Sequence, residues 1–286
     1  TGSFTTIQAA IDACKAFPDK PIIIFVKNGI YKEKVKVPSC NTHLTIKGES
    51  VEKTILTYDD YFGKINRGRN STFYTSTLLV EANDFRLENI SVENSAGPVG
   101  QAIALHVEGD RCIFTNCRIL GNQDTLYATG ETSRQYYTNC YIEGTTDFIF
   151  GEATVVFENC TIHSKTDSYI TAASTNKGKT YGFVFLNCKL TAEPHVTKAY
   201  LGRPWRDYAK VVFVRCEMGA HITASGWANW DKTERDKTAY YAEFGNFGVG
   251  SNTSGRVSWS KTLKPREAKK YSVEKVLKGY DGWKPK

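Results

Sequence analysis

The sequence predicts an all-β chain, a right-handed parallel β-helix with a short N-terminal capping helix and a C-terminal helical tail, organised as a single domain over residues 1–286. Three observations predict it. A six-residue template, Phe114-Thr115-Asn116-Cys117-Arg118-Ile119, returns at residues 137–142, 157–162, 185–190 and 213–218, and residues 87–92 fit with Ile90 in the cysteine slot. Successive slots are 27, 23, 20, 28 and 28 residues apart, a period that marks stacked units rather than a closed globule. Each unit alternates apolar positions and β-formers with no helical period, so the units are strand coils joined by loops of differing length.

The elements follow in order. Residues 4–14 have apolar positions at helical spacing behind polar starters, which predicts an amphipathic helix covering the open end of the stack, where a bare strand edge would invite pairing. Residues 21–26 are a continuous β-rich run closed by the turn Asn28-Gly29, and residues 29–33 and 44–48 read as the first coils. Residues 59–75 are polar and contain Gly63 and Gly68, which predicts an irregular loop of the kind that carries function. Strands resume at 77–80 and 85–92, a turn follows at 95–100, and residues 101–105 alternate polar and apolar. Beyond Ala220 the template fades. Residues 245–255 read as a long surface loop, and 267–278 have helical spacing, which predicts a tail lying on the stack.

Composition narrows the class. No apolar run approaches the roughly 18 residues of a membrane span, and the only methionine is Met218, so Thr1 is read as a processed terminus, which fits secretion. The net charge of +7 is spread along the chain and suits an acidic partner, either polyanionic sugar or nucleic acid. The sequence has no Gly-x-Ser-x-Gly elbow, His-Glu-x-x-His, Cys-x-x-Cys or phosphate-binding glycine loop, and its five histidines are scattered. A serine-triad esterase or a zinc enzyme is therefore not expected.

The repeat places chemistry as well as strands. Asp124 and Asp147 each fall seven residues after a template cysteine, so stacking puts them in equivalent slots of adjacent coils, with backbones about 4.7–4.9 Å apart. Two carboxylates so close cannot easily both ionise, which supplies an acid beside a base or nucleophile. Asp167 also falls seven residues after a cysteine, so spacing alone nominates three aspartates. Gln101 and Gln123 offer amide N–H groups to an oxyanion or, more plainly, a ladder on the stack. Arg203 is a surface ion pair or the orienting partner of a carboxylate. Tyr127, Phe150, Trp205 and Trp227 are core residues by default, but a polysaccharide ligand would pack on them and several would then be exposed.

At these residues the chain resembles a known family. Gln101-Ala102-Ile103-Ala104-Leu105, Gly121-Asn122-Gln123-Asp124-Thr125-Leu126-Tyr127, Asp147-Phe148-Ile149-Phe150-Gly151 and Leu201-Gly202-Arg203-Pro204-Trp205 are similar, in order, to the four signature motifs of the pectin methylesterases. Thr5-Thr6-Ile7-Gln8 and Gly29-Ile30-Tyr31-Lys32-Glu33 resemble further blocks, so the likeness covers nearly the whole chain. The resemblance implies hydrolysis of the C6 methyl ester of galacturonate units in pectin, releasing methanol. It assigns Asp147 as nucleophile, Asp124 as acid and then base, Gln101 and Gln123 as oxyanion donors, and Arg203 as the partner of the nucleophile. It implies substrate contacts at Thr72 and Trp205, with Tyr127, Phe150 and Trp227 lining a groove. The link 128–133 is longer than the plant form of the family, so the groove rim is expected to differ.

The expected partner is methyl-esterified pectin, an acidic polysaccharide, with a proteinaceous pectin methylesterase inhibitor as a candidate second partner. No nucleic acid, membrane, metal or other cofactor is expected, and the chain is read as a secreted, extracellular monomer. Cysteines 117, 140, 160, 188 and 216 form a ladder whose neighbours lie within disulfide reach. For most of them a buried free thiol is the plain reading. The resemblance favours one bond, Cys140 to Cys160, and leaves Cys14, Cys40 and Cys112 open. Asn70 and Asn252 are the candidate glycosylation sites, the triplets at Asn89 and Asn159 being expected to be buried in the coils. Two rival functions share these features: a retaining glycosidase, whose carboxyls are also about 5–5.5 Å apart, and a non-catalytic polysaccharide-binding β-helix. A relative acting on another acyl substrate, such as a thioester, would keep the carboxylates and lose the groove aromatics.

Overall fold

The computed structural model describes residues 2–286; Thr1, on which the expectation of a processed terminus rests, lies outside them. The strands form three sheets of ten, eight and seven strands. Each coil visits them in turn, as in Arg134–Thr138, Tyr141–Gly144 and Ile149–Gly151. The next coil, Thr154–Glu158, Thr161–Ser164 and Tyr169–Ala173, pairs with it in parallel, Tyr137 against Phe157, Ile142 against Ile162 and Ile149 against Thr171. The chain is a parallel β-helix.

The template has a physical meaning at each position. Its aromatic residue points inward, and Phe114, Tyr137, Phe157, Phe185 and Phe213 stack at centroid spacings of 4.4, 5.0, 4.5 and 4.2 Å along the core. Its asparagine makes the bend from the ten-stranded to the eight-stranded sheet. Asn89, Asn116, Asn139, Asn159 and Asn187 all have φ between 50° and 54°, a left-handed conformation that asparagine tolerates better than most residues. Because the bend turns that side chain outward, Asn159 is exposed and Asn89 half-buried, which corrects the expectation that both are buried. Asn70 and Asn252 are exposed as expected of candidate sites.

The cysteine ladder is buried and unpaired, and the expected Cys140–Cys160 disulfide is not formed. In-register parallel neighbours point their Cβ–Sγ bonds the same way at strand spacing, about 4.7–4.9 Å, whereas a disulfide needs Cβ atoms about 3.5–4.5 Å apart. The thiols lie instead against backbone carbonyls, Cys140 Sγ 3.4 Å from Phe114 O and Cys160 Sγ 3.5 Å from Tyr137 O.

The ends depart from expectation in instructive ways. The N-terminal helix is confined to Ile7–Asp12, capped by the Thr6 side chain, and it buries Ile7 and Ile11 over the core. It covers the open end of the stack: the Gln8 side chain accepts from Lys36 N at 2.7 Å and donates to Lys36 O at 3.2 Å on Val35–Val37, the end strand of the seven-stranded sheet. The outward-facing Ile23 and Phe25 of the end strand Ile22–Val26 stay exposed. The template does not stop at Met218, since Tyr240–Phe244 and Lys261–Thr262 add two further strands to the ten-stranded sheet. Beside Arg215 in the bend stands Gly245, φ 60°, and the next position holds Asn246, whose side chain accepts from Cys216 N at 2.9 Å. The helical tail is two short helices, Pro265–Ala268 and Val273–Leu277, because the Ser272 side chain caps a new start by accepting from Lys275 N. Val273, Val276 and Leu277 cover Val156, Val184 and Val212 on the outer face of the ten-stranded sheet. No helix among the described residues is long and apolar enough to cross a membrane.

Candidate active site

The site lies on the outer face of the seven-stranded sheet. Successive outward positions there are His106, Tyr127, Phe150, Ala172 and Arg203, in register from strand to strand. Their rings form a ladder, His106 to Tyr127 at 4.6 Å, Tyr127 to Phe150 at 4.5 Å, and Phe150 edge-on to Trp205 at 5.8 Å. Two glycines let the rungs close up. A Cβ on Gly151 would lie 2.0 Å from Ala128 O, and one on Gly202 would lie 1.9 Å from Thr171 Oγ1.

Asp124 and Asp147 sit at the bend leading into this sheet. Leu126 pairs with Ile149, so the two aspartates occupy the same slot of adjacent coils, and both adopt left-handed backbone, φ 63° and 50°. Aspartate, like the asparagines at the other bend, tolerates this conformation better than most residues, so the turn and the carboxylate are set by the same residue. Asp167 does not join them. The turn after Cys160 is two residues longer, so Tyr169 takes the slot beyond Asp147 and Asp167 is exposed, accepting from Thr197 N and Lys198 N at 2.7 and 2.8 Å.

Arg203 lies two rungs from Asp147 and reaches it across Ala172, whose small side chain leaves the path open. Its Nε and Nη2 donate to Asp147 Oδ1 and Oδ2 at 3.0 and 2.7 Å, a bidentate grip that fixes the carboxylate plane. The guanidinium is itself clamped between two rings, 4.0 Å from the Tyr169 centroid and 3.9 Å from that of Trp230. Asp124 has no such partner. Burial and the neighbouring Asp147 charge hold its carboxyl well above the usual carboxylate range. Burial also pushes Asp147 up, but the Arg203 hydrogen bonds and charge oppose this, so Asp147 is the first of the pair to ionise.

A cleft of about 380 Å³ opens over the pair, with Gln101, Gln123, Phe150, Arg203, Trp205 and Trp230 among its walls. Gln101 and Gln123 are bridged neighbours on adjacent coils, one position before the aspartate slot. The predicted irregular loop at 59–75 is ordered as two short helices, Phe62–Ile65 and Gly68–Tyr74, and forms one wall with Arg69, Asn70, Thr72 and Phe73. It is tied down by Phe62 N donating to Gln101 O at 2.9 Å and Ile103 N donating to Thr75 Oγ1 at 2.9 Å.

The predicted set is thus brought together, with exceptions among the aromatics. Trp227 is not a groove residue: it is 1% exposed in the interior, packed between Phe213 and Tyr241, with Nε1 donating to Glu243. The next tryptophan, Trp230, takes the groove position instead. Phe150 forms the floor and is 4% exposed rather than open, and Trp205 is a half-buried wall, whereas Tyr127, half-buried between Phe150 and Phe73, stands outside the cleft lining. Sequence reasoning missed Arg69, Phe73, Tyr169, Arg206 and Trp230. Of these, Arg206 adjoins the Arg203-Pro204-Trp205 run and Arg69 and Phe73 lie in the loop at 59–75 expected to carry function, whereas Tyr169 and Trp230 had no positional signal.

Fold and site together define a parallel β-helix with a carboxylate pair, one member clamped by arginine, on its outer face. The family model described as Pectinesterase matches residues 1–280, and the chain belongs to that family. It is 41% identical to pectinesterase 31 of Arabidopsis thaliana, over 94% of this chain and 86% of that protein. It is 39% identical to the probable pectinesterase/pectinesterase inhibitor 23 of the same plant, covering 100% of this chain but 52% of that one; the chain spans about half the length of several relatives it matches. Among solved structures, pectin methylesterase from carrot superposes with a TM-score of 0.91 at 32% identity, covering 98% of this chain and 91% of the other. A pectin methylesterase in complex with a hexasaccharide superposes with a TM-score of 0.85 at 27% identity, covering 100% and 95%. The fold is the right-handed parallel β-helix of these structures.

Proposed function

We propose that the chain is a pectinesterase that removes the methyl ester from C6 of galacturonate units in methyl-esterified pectin, acting outside the cell. The observation that carries the reading is the asymmetry of the carboxylate pair: two in-register aspartates, of which only Asp147 is gripped by Arg203. In this reading ionised Asp147 attacks the C6 carbonyl, and the amides of Gln101 and Gln123 donate to the oxygen that becomes negative. Protonated Asp124 gives its proton to the departing methoxide, and methanol leaves an acyl-enzyme on Asp147. Asp124, now a carboxylate, takes a proton from water. The hydroxide so formed attacks the acyl carbonyl, Asp147 departs as carboxylate, and the galacturonate carboxyl ionises to solvent. Arg203 keeps Asp147 oriented and ionised between turnovers.

Trp205 and Trp230, over the floor made by Phe150, would supply faces for the sugar rings. They favour a polysaccharide substrate over a small ester or thioester. Methanol and new reducing ends, measured together on highly methylated pectin, test the proposal. Methanol without reducing ends is expected. Reducing ends would indicate a glycosidase, and binding without either product would indicate a non-catalytic binding protein. A longer relative is named as a probable pectinesterase/pectinesterase inhibitor, which makes a pectinesterase inhibitor a candidate protein partner of this chain.

A further inference from the structure

Charge in the cleft does not balance. Five ionisable side chains line it: Asp124, Asp147, Arg69, Arg203 and Arg206. Asp147 and Arg203 neutralise one another, and Asp124 is the acid of the pair. That leaves the guanidiniums of Arg69 and Arg206 as net positive charge over a cleft whose reacting group, a methyl ester, is neutral. Neither is consumed by an ion pair among the described residues. Arg206 is exposed, stacks its guanidinium 4.7 Å from the Trp205 ring and donates only to Trp205 O at 3.3 Å. Arg69 is exposed on the opposing wall, on the Gly68–Tyr74 helix, beside Thr72.

Two unpaired guanidiniums held on separate walls of one cleft select for carboxylate, with which a guanidinium forms forked hydrogen bonds. On a chain of galacturonates the only carboxylates are units whose ester has already been removed. We propose that Arg69 and Arg206 are specificity residues that bind the free carboxylate of a galacturonate flanking the reacting ester, so that each hydrolysis improves the site for the neighbouring unit. This rests on the function proposed above. It assigns a role to part of the net charge of +7 that the sequence shows only as dispersed basic residues.

The test compares homogalacturonan that is fully methyl-esterified with the same polymer chemically de-esterified at random to about half, at equal ester concentration and fixed pH, for the native chain and for Arg69→Gln, Arg206→Gln, Arg206→Lys and the double Gln variant. For native protein kcat/KM should be several-fold higher on the half-esterified polymer, with the difference in KM. Exposed charge contacts are individually modest, so each Gln substitution should reduce that ratio by about two- to threefold and the double variant should bring it near one. Arg206→Lys should keep most of it at low salt, and moderate salt should lower the native ratio. A ratio that stays the same in the double variant, or a native ratio of one, overturns the proposal. If native protein releases no methanol from either polymer, the function itself fails, a result distinct from failure of the carboxylate-binding rim.

Discussion

Asp147 and Arg203 come from strands separated by an intervening rung, yet they meet in a two-point hydrogen bond at 3.0 and 2.7 Å across the methyl group of Ala172. That contact makes two aspartates in the same slot unequal. Burial raises both carboxyls, and this contact opposes the rise at Asp147.

The inequality has a signature in pH. Burial and the Asp147 charge raise the folded-state pKa of Asp124 above its ordinary value. A raised carboxyl stabilises the fold fully below the unfolded pKa, about 3.9 for Asp, and that contribution is lost as pH rises through the folded value. Asp124→Asn, which cannot ionise, should therefore melt higher than native protein at neutral pH, with the gap closing as pH falls toward 4. Thermal melts from pH 4 to 8 check this, and a gap that widens on acidification would contradict it. The same variant should lose most of its turnover, having no proton to give.

Tyr169 stands outside the cleft lining but holds one face of the Arg203 guanidinium. Tyr169→Leu should lower kcat by about three- to tenfold with little change in KM, since a desolvated cation–π contact is worth about that much. Tyr169→Phe, which keeps the ring, should restore it. Steady-state kinetics on pectin decide the matter, and equal losses in the two variants would assign the effect to the hydroxyl instead.

Stability at the C-terminal end rests on a different pair. Arg256 and Glu243 are nearly fully buried, with Nε 2.7 Å from Oε1, and Glu243 also accepts from Trp227. Arg256 also donates to Ala224 O and Gly250 O, tying the loop at 245–257 onto the last coils. Arg256→Met should cost about 3–5 kcal/mol in denaturant unfolding, because it strands a buried carboxylate. Adding Glu243→Leu should recover part of that loss. A single variant as stable as native protein would show that the pair is not structural.

Much of this was legible in the sequence because the repeat is physical. The aromatic, asparagine and cysteine slots each answer to a position in the coil, so the stack and the neighbouring aspartates could be read together. What the repeat could not show was loop length inside a coil. Asp167 has the same spacing from its cysteine as Asp124 and Asp147, yet two extra residues carry it out of the slot. Asp167→Asn should accordingly keep most activity, with methanol release as the measure. The two last strands escaped notice because glycine and asparagine replace asparagine and cysteine at residues 245 and 246. Trp227 and Trp230 are three residues apart in a stretch without strand periodicity, so nothing in their spacing told the core ring from the groove ring.

Methanol release from highly methylated pectin by Asp147→Asn decides whether Asp147 is the nucleophile. The amide keeps the shape of the side chain but cannot attack, so methanol release should fall by about 10⁴-fold or more, while far-UV circular dichroism and the melting transition show a folded β-helix. A folded Asp147→Asn protein that releases methanol at the native rate would remove Asp147 from the mechanism.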